Sequence, residues 1–190
     1  MIELKIKKIK IAENFSEASA DYIAKPELKL ESNDYAYALG IPEQGFVQPG
    51  HLKDAARRRF SKKDINSDSL SRALIQDGLE PVRTSDISNY AERPLIACFI
   101  AQAKGYHFYR RHKDGSWSHQ GGRKGAVKDY DNNGDVILHP RHAERGKYTE
   151  FVGYFAPPSE GLTIARKLNW FEEKISHPCA ELKKWACNKL

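Results

Sequence analysis

The chain lacks the features that mark membrane-spanning, disulfide-rich and repeat proteins. None of its 190 residues lies in an apolar run approaching the ~20 residues that a membrane-crossing helix needs. Its three cysteines have no C-x-x-C spacing, which excludes a zinc framework or a disulfide scaffold. There is no internal repeat and no low-complexity linker. Apolar residues make up 40% and charged residues 29%, which indicates a globular chain with a sizeable core.

The N-terminus also lacks the continuous apolar core of a signal peptide. Polar and apolar residues alternate over residues 1–7, a pattern that predicts a strand. We therefore expect no Sec-type signal, and a protein that is either cytoplasmic or exported by a dedicated secretion system.

The net charge of +6 raises the question of an anionic partner. The densest basic runs are Arg57-Arg58-Arg59 and Lys62-Lys63, beside a predicted helix. Because the other basic residues are spread along the chain, a solvated surface is the favoured interpretation. A nucleic-acid-binding protein is the less favoured one, and it predicts affinity that falls steeply with added salt.

Helices are predicted in the first half of the chain. Helical patterns cover residues 15–24, 34–39, 51–59 and 67–77. For the second of these, Ser32 or Asn33 is the expected N-cap, and Gly40 supplies a left-handed end before Pro42.

The pattern then changes to strands over residues 95–101, 105–112, 116–120, 135–138 and 148–156. After Pro157-Pro158, the residues Ile164, Leu168, Phe171 and Ile175 recur at helical spacing. The sequence thus predicts an α+β domain over residues 1–158, with N-terminal helices packed on an antiparallel sheet. Residues 159–190 are expected to form a C-terminal helical extension packed on that domain.

Several short motifs occur in an order that resembles a bacterial family of papain-like cysteine hydrolases, similar to the NlpC/P60 enzymes. The motifs are Asn33-Asp34-Tyr35-Ala36-Tyr37-Ala38, Gln48-Pro49-Gly50, His107-Phe108-Tyr109-Arg110, Trp117-Ser118-His119, Asp131-Asn132-Asn133-Gly134 and Tyr148-Thr149-Glu150-Phe151-Val152-Gly153-Tyr154. The resemblance covers about residues 32–156. It implies a papain-like fold and cleavage of an amide in a peptide, peptidoglycan or protein substrate. By analogy it also implies a secreted bacterial effector or toxin.

In that family a cysteine stands at the start of the first helix of the motif, and here the position holds Asp34. A helix N-terminus stabilises a thiolate, and a histidine on the facing sheet accepts and returns the proton. The resemblance therefore assigns the nucleophile position to Asp34 and the base to His107. A carboxylate is a far poorer nucleophile towards amides, so we expect little or no thiol-dependent hydrolysis.

Three explanations of Asp34 remain open. It is a natural replacement in a pseudoenzyme, a deliberate inactivation of a toxic enzyme, or an ordinary acidic residue in a first helical turn.

The group that orients His107 depends on the register of a hairpin. A three-residue loop at Lys113-Asp114-Gly115 pairs residue 109 with residue 119 and places His119 on the face of His107. A two-residue loop would place Gln120 there instead. We favour His119.

A binding module that uses the same cleft without catalysis is the alternative function. Its cleft would be lined by aromatic contacts, namely Tyr35, Tyr37, Tyr109 and Trp117, with Tyr106 beside them.

No cofactor and no metal are expected. The residues Asp129, Asp131, Asn133 and Gly134 resemble half of a calcium loop, but Pro140 stands where the bidentate acid belongs. An Asx-rich turn is favoured over a calcium site.

Overall fold

The computed structural model describes residues 4–9, 23–25, 30–53 and 60–167, and its dominant element is antiparallel β-sheet. The strands are β1 (Leu4–Ile9), β2 (Glu80–Val82), β3 (Leu95–Ala101), β4 (Gly105–Arg111), β5 (Trp117–Gln120), β6 (Val127–Lys128), β7 (Glu150–Ala156) and β8 (Leu162–Lys167). The described α-helices are α1 (Asp34–Leu39) and α2 (Ser67–Gln76). Short 3₁₀ turns lie at Pro42–Gln44, Lys62–Asp64 and Thr84–Tyr90.

Strand β3 is the centre of the main sheet, whose order is β2-β7-β3-β4-β5-β6. All seven of its residues are buried, because both faces of this strand are covered. Ile96, Cys98 and Ile100 face one hydrophobic cluster, which includes side chains of α1 and α2. Leu95 and Phe99 face a second cluster on the other side, built around the aromatic residues of β5 and β7.

Helix α1 is short, and all six of its residues are buried. The Asn33 side chain caps it by accepting from the backbone N–H of Ala36, and Gly40 ends it in the left-handed conformation with φ of 75°. The cap, the helix and its end therefore follow the sequence prediction. Helix α2 also lies where the pattern predicts it, with Leu70 and Leu74 on its buried face.

The papain-like arrangement predicted from the motifs is wrong. Helices and sheet are both present, but the described residues form mostly a six-stranded antiparallel sheet with few, short helices. The prediction failed because it gave the helices too large a share of the fold, whereas the two described α-helices have only six and ten residues. Strand β2 was not predicted, although it lies in that half and pairs with β7. The predicted helices over residues 15–24 and 51–59 lie largely outside the described residues.

The end of the described chain is also a strand rather than a helix. Strand β8 pairs antiparallel with β1, so that Leu4 lies opposite Lys167 and Ile9 opposite Leu162. The helical spacing that begins at Ile164 is therefore misleading, because alternation from Leu162 onwards fits a strand equally well. The helices predicted further on lie outside the described residues, and the division at residue 158 stays a prediction.

A buried aspartate joins α2 to the segment that follows α1. The carboxylate of Asp77 accepts from the Tyr35 hydroxyl at 2.8 Å and from the backbone N–H groups of Gly50 and Leu52 at 2.7 and 2.9 Å. Burial, and then the charge of Asp77, raises the pKa of Tyr35 well above its usual range. Because a buried carboxylate is stable only when its oxygens are hydrogen-bonded, these bonds fix α1 and α2 relative to each other.

Candidate functional site

Three side chains from three elements form a continuous polar array that runs from the interior, at Asp34 and His107, to the partly exposed His119. Asp34 begins α1, His107 lies in β4, and His119 lies in β5. The Oδ2 atom of Asp34 is 3.0 Å from Nδ1 of His107, and Nε2 of His107 is 2.8 Å from Nδ1 of His119. The array continues to the backbone, because Nε2 of His119 is 3.2 Å from the carbonyl oxygen of Tyr130. We call these four groups the polar array.

The hairpin register explains why the two histidines meet. Arg110 pairs with Ser118 and Arg111 with Trp117, which is the register of the three-residue loop. Residues 107 and 119 therefore point to the same face of the sheet. The other candidate orienter, Gln120, points to the opposite face. Its amide donates to the carbonyl oxygen of Leu30 and its side-chain oxygen accepts from the Ser32 hydroxyl.

The polar array fixes its own protons. The carbonyl oxygen of Tyr130 can only accept, so Nε2 of His119 carries a proton. Burial, and then the charge of His107, lowers the pKa of His119 to about 3, so His119 is neutral and its Nδ1 accepts from His107. One further proton must lie between Nδ1 of His107 and Asp34. That proton joins the two side chains through Oδ2 of Asp34, while Oδ1 of Asp34 accepts from the backbone N–H of Tyr35.

The contact between Asp34 and His107 is closed to solvent. The two residues are only 6% and 7% exposed. The Tyr148 ring stacks on the imidazole of His107, with ring centroids 5.2 Å apart, and Tyr109 packs against its edge. The carboxylate oxygens of Asp34 are held by His107 and by the backbone of Tyr35. In this arrangement both oxygens of Asp34 are engaged by groups of the protein itself.

The residues expected to line an aromatic cleft are core residues instead. Tyr35 and Tyr37 are fully buried, and Tyr109 and Trp117 are 2% and 4% exposed. Each packs inside a hydrophobic cluster, with Tyr35 against Phe108 and Trp117 against Tyr154. Their side chains supply packing on the two faces of the sheet.

A second buried polar group is centred on Ser118, and it includes His112, which was not singled out in the sequence. The hydroxyl of Ser118 is within hydrogen-bonding distance of the Tyr37 hydroxyl and of Nε2 of His112. Burial, and then the charge of Arg110, lowers the pKa of His112 to about 4, so this imidazole is neutral in the folded protein. The Arg110 guanidinium is itself buried and donates to the carbonyl oxygen of Ala38 at 2.8 Å.

The cysteine in the described part of the chain is not a nucleophile. Cys98 is fully buried in β3, and burial together with the charge of Asp34 raises the pKa of its thiol well above its usual range. A thiolate, which amide hydrolysis by cysteine requires, is therefore disfavoured there.

The segment of residues 129–144, which we call the acidic loop, is built around Asp131. Its Oδ1 accepts from the backbone N–H groups of Asn133 and Asp135, and its Oδ2 accepts from that of Glu144. These backbone bonds lower the pKa of Asp131. They also occupy the oxygens that a calcium loop would offer, which is the geometry of an Asx turn. The predicted strand over residues 135–138 is reduced to a bridge between Tyr130 and Val136.

Tyr148 and the carbonyl oxygen of Tyr130 are parts of this site that sequence reasoning missed. Tyr148 is the first residue of the last motif, but the motif gives no sign that its ring stacks on His107. A backbone carbonyl leaves no signal in the identity of its residue, and Tyr130 was found only from the structure.

Comparison with known proteins identifies a relative from a mollusc. The insoluble matrix shell protein 1 of Ruditapes philippinarum is 37% identical to this chain over 127 residues. The matched region covers 67% of this chain and 80% of the relative. No family model matches the chain, and no solved structure matches it.

This finding corrects the bacterial resemblance. The relative is a eukaryotic shell protein, so the assignment to bacterial papain-like, NlpC/P60-like hydrolases is wrong, as are the effector, toxin and amide-hydrolase functions derived from it. The motifs suggested a hydrolase because it, too, has a polar residue at the start of a helix and a histidine on the facing sheet. In this chain the same residues, Asp34, His107 and His119, form the polar array. The roles assigned to single site residues stay untested predictions.

The first prediction concerns the proton on His107. In Asp34→Asn the new amide can donate to Nδ1 of His107, which then acts as an acceptor. The side-chain ¹⁵N chemical shifts of His107 should therefore differ between the native chain and the variant. Asp68→Asn, an exposed acid in the first turn of α2, is the control and should leave His107 unchanged. An identical His107 spectrum in native chain and Asp34→Asn contradicts the assignment.

The second prediction concerns acid sensitivity. The pKa of His112 is lowered in the folded chain from its ordinary 6.5 to about 4, so the unfolded chain binds more protons between these values. Stability is therefore complete above pH 6.5 and falls as the pH drops towards 4, by up to about 1.4 kcal/mol per pH unit for this residue. His119 adds a similar loss that extends to about pH 3.

Urea unfolding of the native chain and of His112→Gln across this pH range measures the effect. In the variant, the free energy of unfolding should change with pH less steeply than in the native chain, by about 1.4 kcal/mol per pH unit, because glutamine does not titrate. Equal slopes in the two chains would show that His112 is not held neutral by the fold.

Proposed function

Because the chain belongs to the same family as the insoluble matrix shell protein 1 of Ruditapes philippinarum, we propose that it is a non-enzymatic structural protein of an insoluble extracellular matrix. The single observation that carries the proposal is the identity of 37% over a region that covers 80% of that relative. A match of this extent includes most of the relative, so its role is a reasonable model for this chain.

The state of the polar array supports a structural role. A catalytic base needs access to a substrate proton, within about 3 Å of a plausible pose. His107 instead has one nitrogen bonded to Asp34, the other bonded to His119, and a tyrosine ring over its face. The array joins α1, two strands and the acidic loop, which is what a group that fixes tertiary structure does.

Contacts with other proteins are the form of interaction that we propose for this role. Among the described residues, no helix is long and apolar enough to cross a membrane. The described surface does expose large apolar side chains, of which Leu138 is 83% and Val136 is 64% exposed. Exposed apolar surface that is rimmed by charges is typical of protein interaction sites.

The experiment that tests this function is fractionation of the source organism's extracellular matrix, followed by detection with an antibody raised against the purified chain. We expect the protein in the residue that salt and denaturant leave undissolved, because a structural matrix protein is held there by many contacts. Antibody absorbed with the purified chain is the control and should give no signal. Recovery of the protein only from soluble cell extract would contradict the proposal.

A further inference from the structure

An apolar patch on the acidic loop stands out from the rest of the described surface. Tyr130, Val136 and Leu138 are 40%, 64% and 83% exposed; a bridge pairs Tyr130 with Val136, and Leu138 lies two residues further along the chain. The other large apolar side chain that is strongly exposed in the described residues is Ile75, which stands alone on α2. Isolated apolar residues are ordinary on a surface, whereas a cluster of them indicates contact with a partner.

The patch borders a pocket of about 330 Å³ whose walls combine two kinds of group. Val136, Leu138 and Ala143 supply apolar surface, while Asp135 and Glu144 supply carboxylates. This volume is at the lower end of the range for pockets that hold small ligands, about 300–1,000 Å³. The combination suits a lysine side chain, whose long alkyl stem packs on apolar surface while its ammonium group meets a carboxylate.

The charge of the acidic loop is opposite to that of the whole chain. Four acidic residues and Arg141 give residues 129–144 a net charge of −3, while the full chain carries +6. The remaining residues therefore carry +9. A second copy of this chain is thus a partner of complementary charge, and complementary charge both steers association and fixes its register.

Arg123 and Lys124, an adjacent pair of exposed cations in the described residues, are already engaged. Lys124 forms an ion pair with Glu31, and Arg123 lies 4.3 Å from the centroid of the Phe46 ring. Lys62 and Lys63 are adjacent and both exposed, at the 3₁₀ turn Lys62–Asp64. Within the described part of the chain, neither has an ion pair or a ring contact. They are therefore the pair of basic side chains best placed to reach outward.

We propose that the pocket of the acidic loop binds the Lys62-Lys63 turn of a second copy of this chain. The inference rests on the proposed matrix function and supplies the contact by which copies join. Pocket and turn are different surfaces, so the contact is head-to-tail. A head-to-tail contact that does not close into a ring adds copies without limit, which yields filaments or an insoluble network.

The acidic loop is held in shape before any partner arrives. The Asp131 carboxylate binds three backbone N–H groups, and the backbone N–H of Ile137 donates to the carbonyl oxygen of Asp129 at 2.8 Å. The Tyr130 carbonyl oxygen accepts from His119. A surface that is ordered in the free protein loses less entropy on binding, which favours association.

Sedimentation velocity of two charge variants, alone and mixed, tests the contact. Asp135→Lys spoils the pocket and keeps the turn, whereas the double variant Lys62→Ser with Lys63→Ser spoils the turn and keeps the pocket. Each variant alone should remain monomeric, with self-association weakened at least about tenfold relative to the native chain. An equimolar mixture should form dimers and nothing larger, because only one of the two possible contacts is complementary.

Matched controls separate this contact from general effects of charge and hydrophobicity. Glu92→Lys changes an exposed acid outside the acidic loop, and Ile75→Ser removes the exposed apolar residue of α2. Both should associate like the native chain, whereas Leu138→Ser should associate more weakly. Circular dichroism of every variant should match that of the native chain, since each substituted side chain is exposed.

The outcomes distinguish this inference from the proposed function. Native-like association of both Asp135→Lys and the double lysine variant overturns the contact, and so does a mixture that stays monomeric. A native chain that remains monomeric at every concentration also overturns it. None of these results changes where fractionation finds the protein, so the matrix function is decided separately.

Discussion

The buried contact between the Asp34 carboxyl group and the His107 imidazole is the constraint on which the described structure depends. Ionisable groups inside a protein are tolerated only when they are paired and hydrogen-bonded. Here the oxygens of Asp34 are held by Tyr35 and His107, and the second nitrogen of His107 bonds to a neutral His119. Such a pair adds little net stability compared with apolar packing, but removing one partner costs about 3–5 kcal/mol. The pair therefore specifies how its elements are arranged more than it adds to stability.

The polar array links the core of the protein to its surface. The helix start, two strands and the acidic loop each contribute one group to the polar array, and the last group is the carbonyl oxygen of Tyr130. The patch formed by Tyr130, Val136 and Leu138 thus has one of its residues tied directly to the interior. A protein that assembles through a surface loop benefits when that loop is rigid, since less order must be gained on contact. The same residues that suggested a catalytic site account for this rigidity.

Sequence reasoning identified local structure better than architecture. The Asn33 cap, the Gly40 end and the all-apolar strand β3 could be predicted because each depends on neighbours in the chain. The proximity of Asp34 to His107 was also anticipated, from motif order, although the chemistry inferred from it was not supported. The pairing of β1 with β8 and of β2 with β7 could not be predicted, since it depends on partners far away in sequence. The three bonds that Asp77 accepts have the same origin and left no sequence pattern.

Hydrogen exchange of His119→Phe tests most directly whether the polar array holds the acidic loop to the core. Phenylalanine fills the space of the imidazole but cannot donate to the Tyr130 carbonyl oxygen. The backbone amides of Asp131 and Ile137, which close the loop on itself, should then exchange faster than in the native chain, while those of β3 should not change. His142→Phe, an exposed histidine of the same loop, serves as the control and should leave both amides protected. Unchanged protection of Asp131 and Ile137 in His119→Phe would contradict the account.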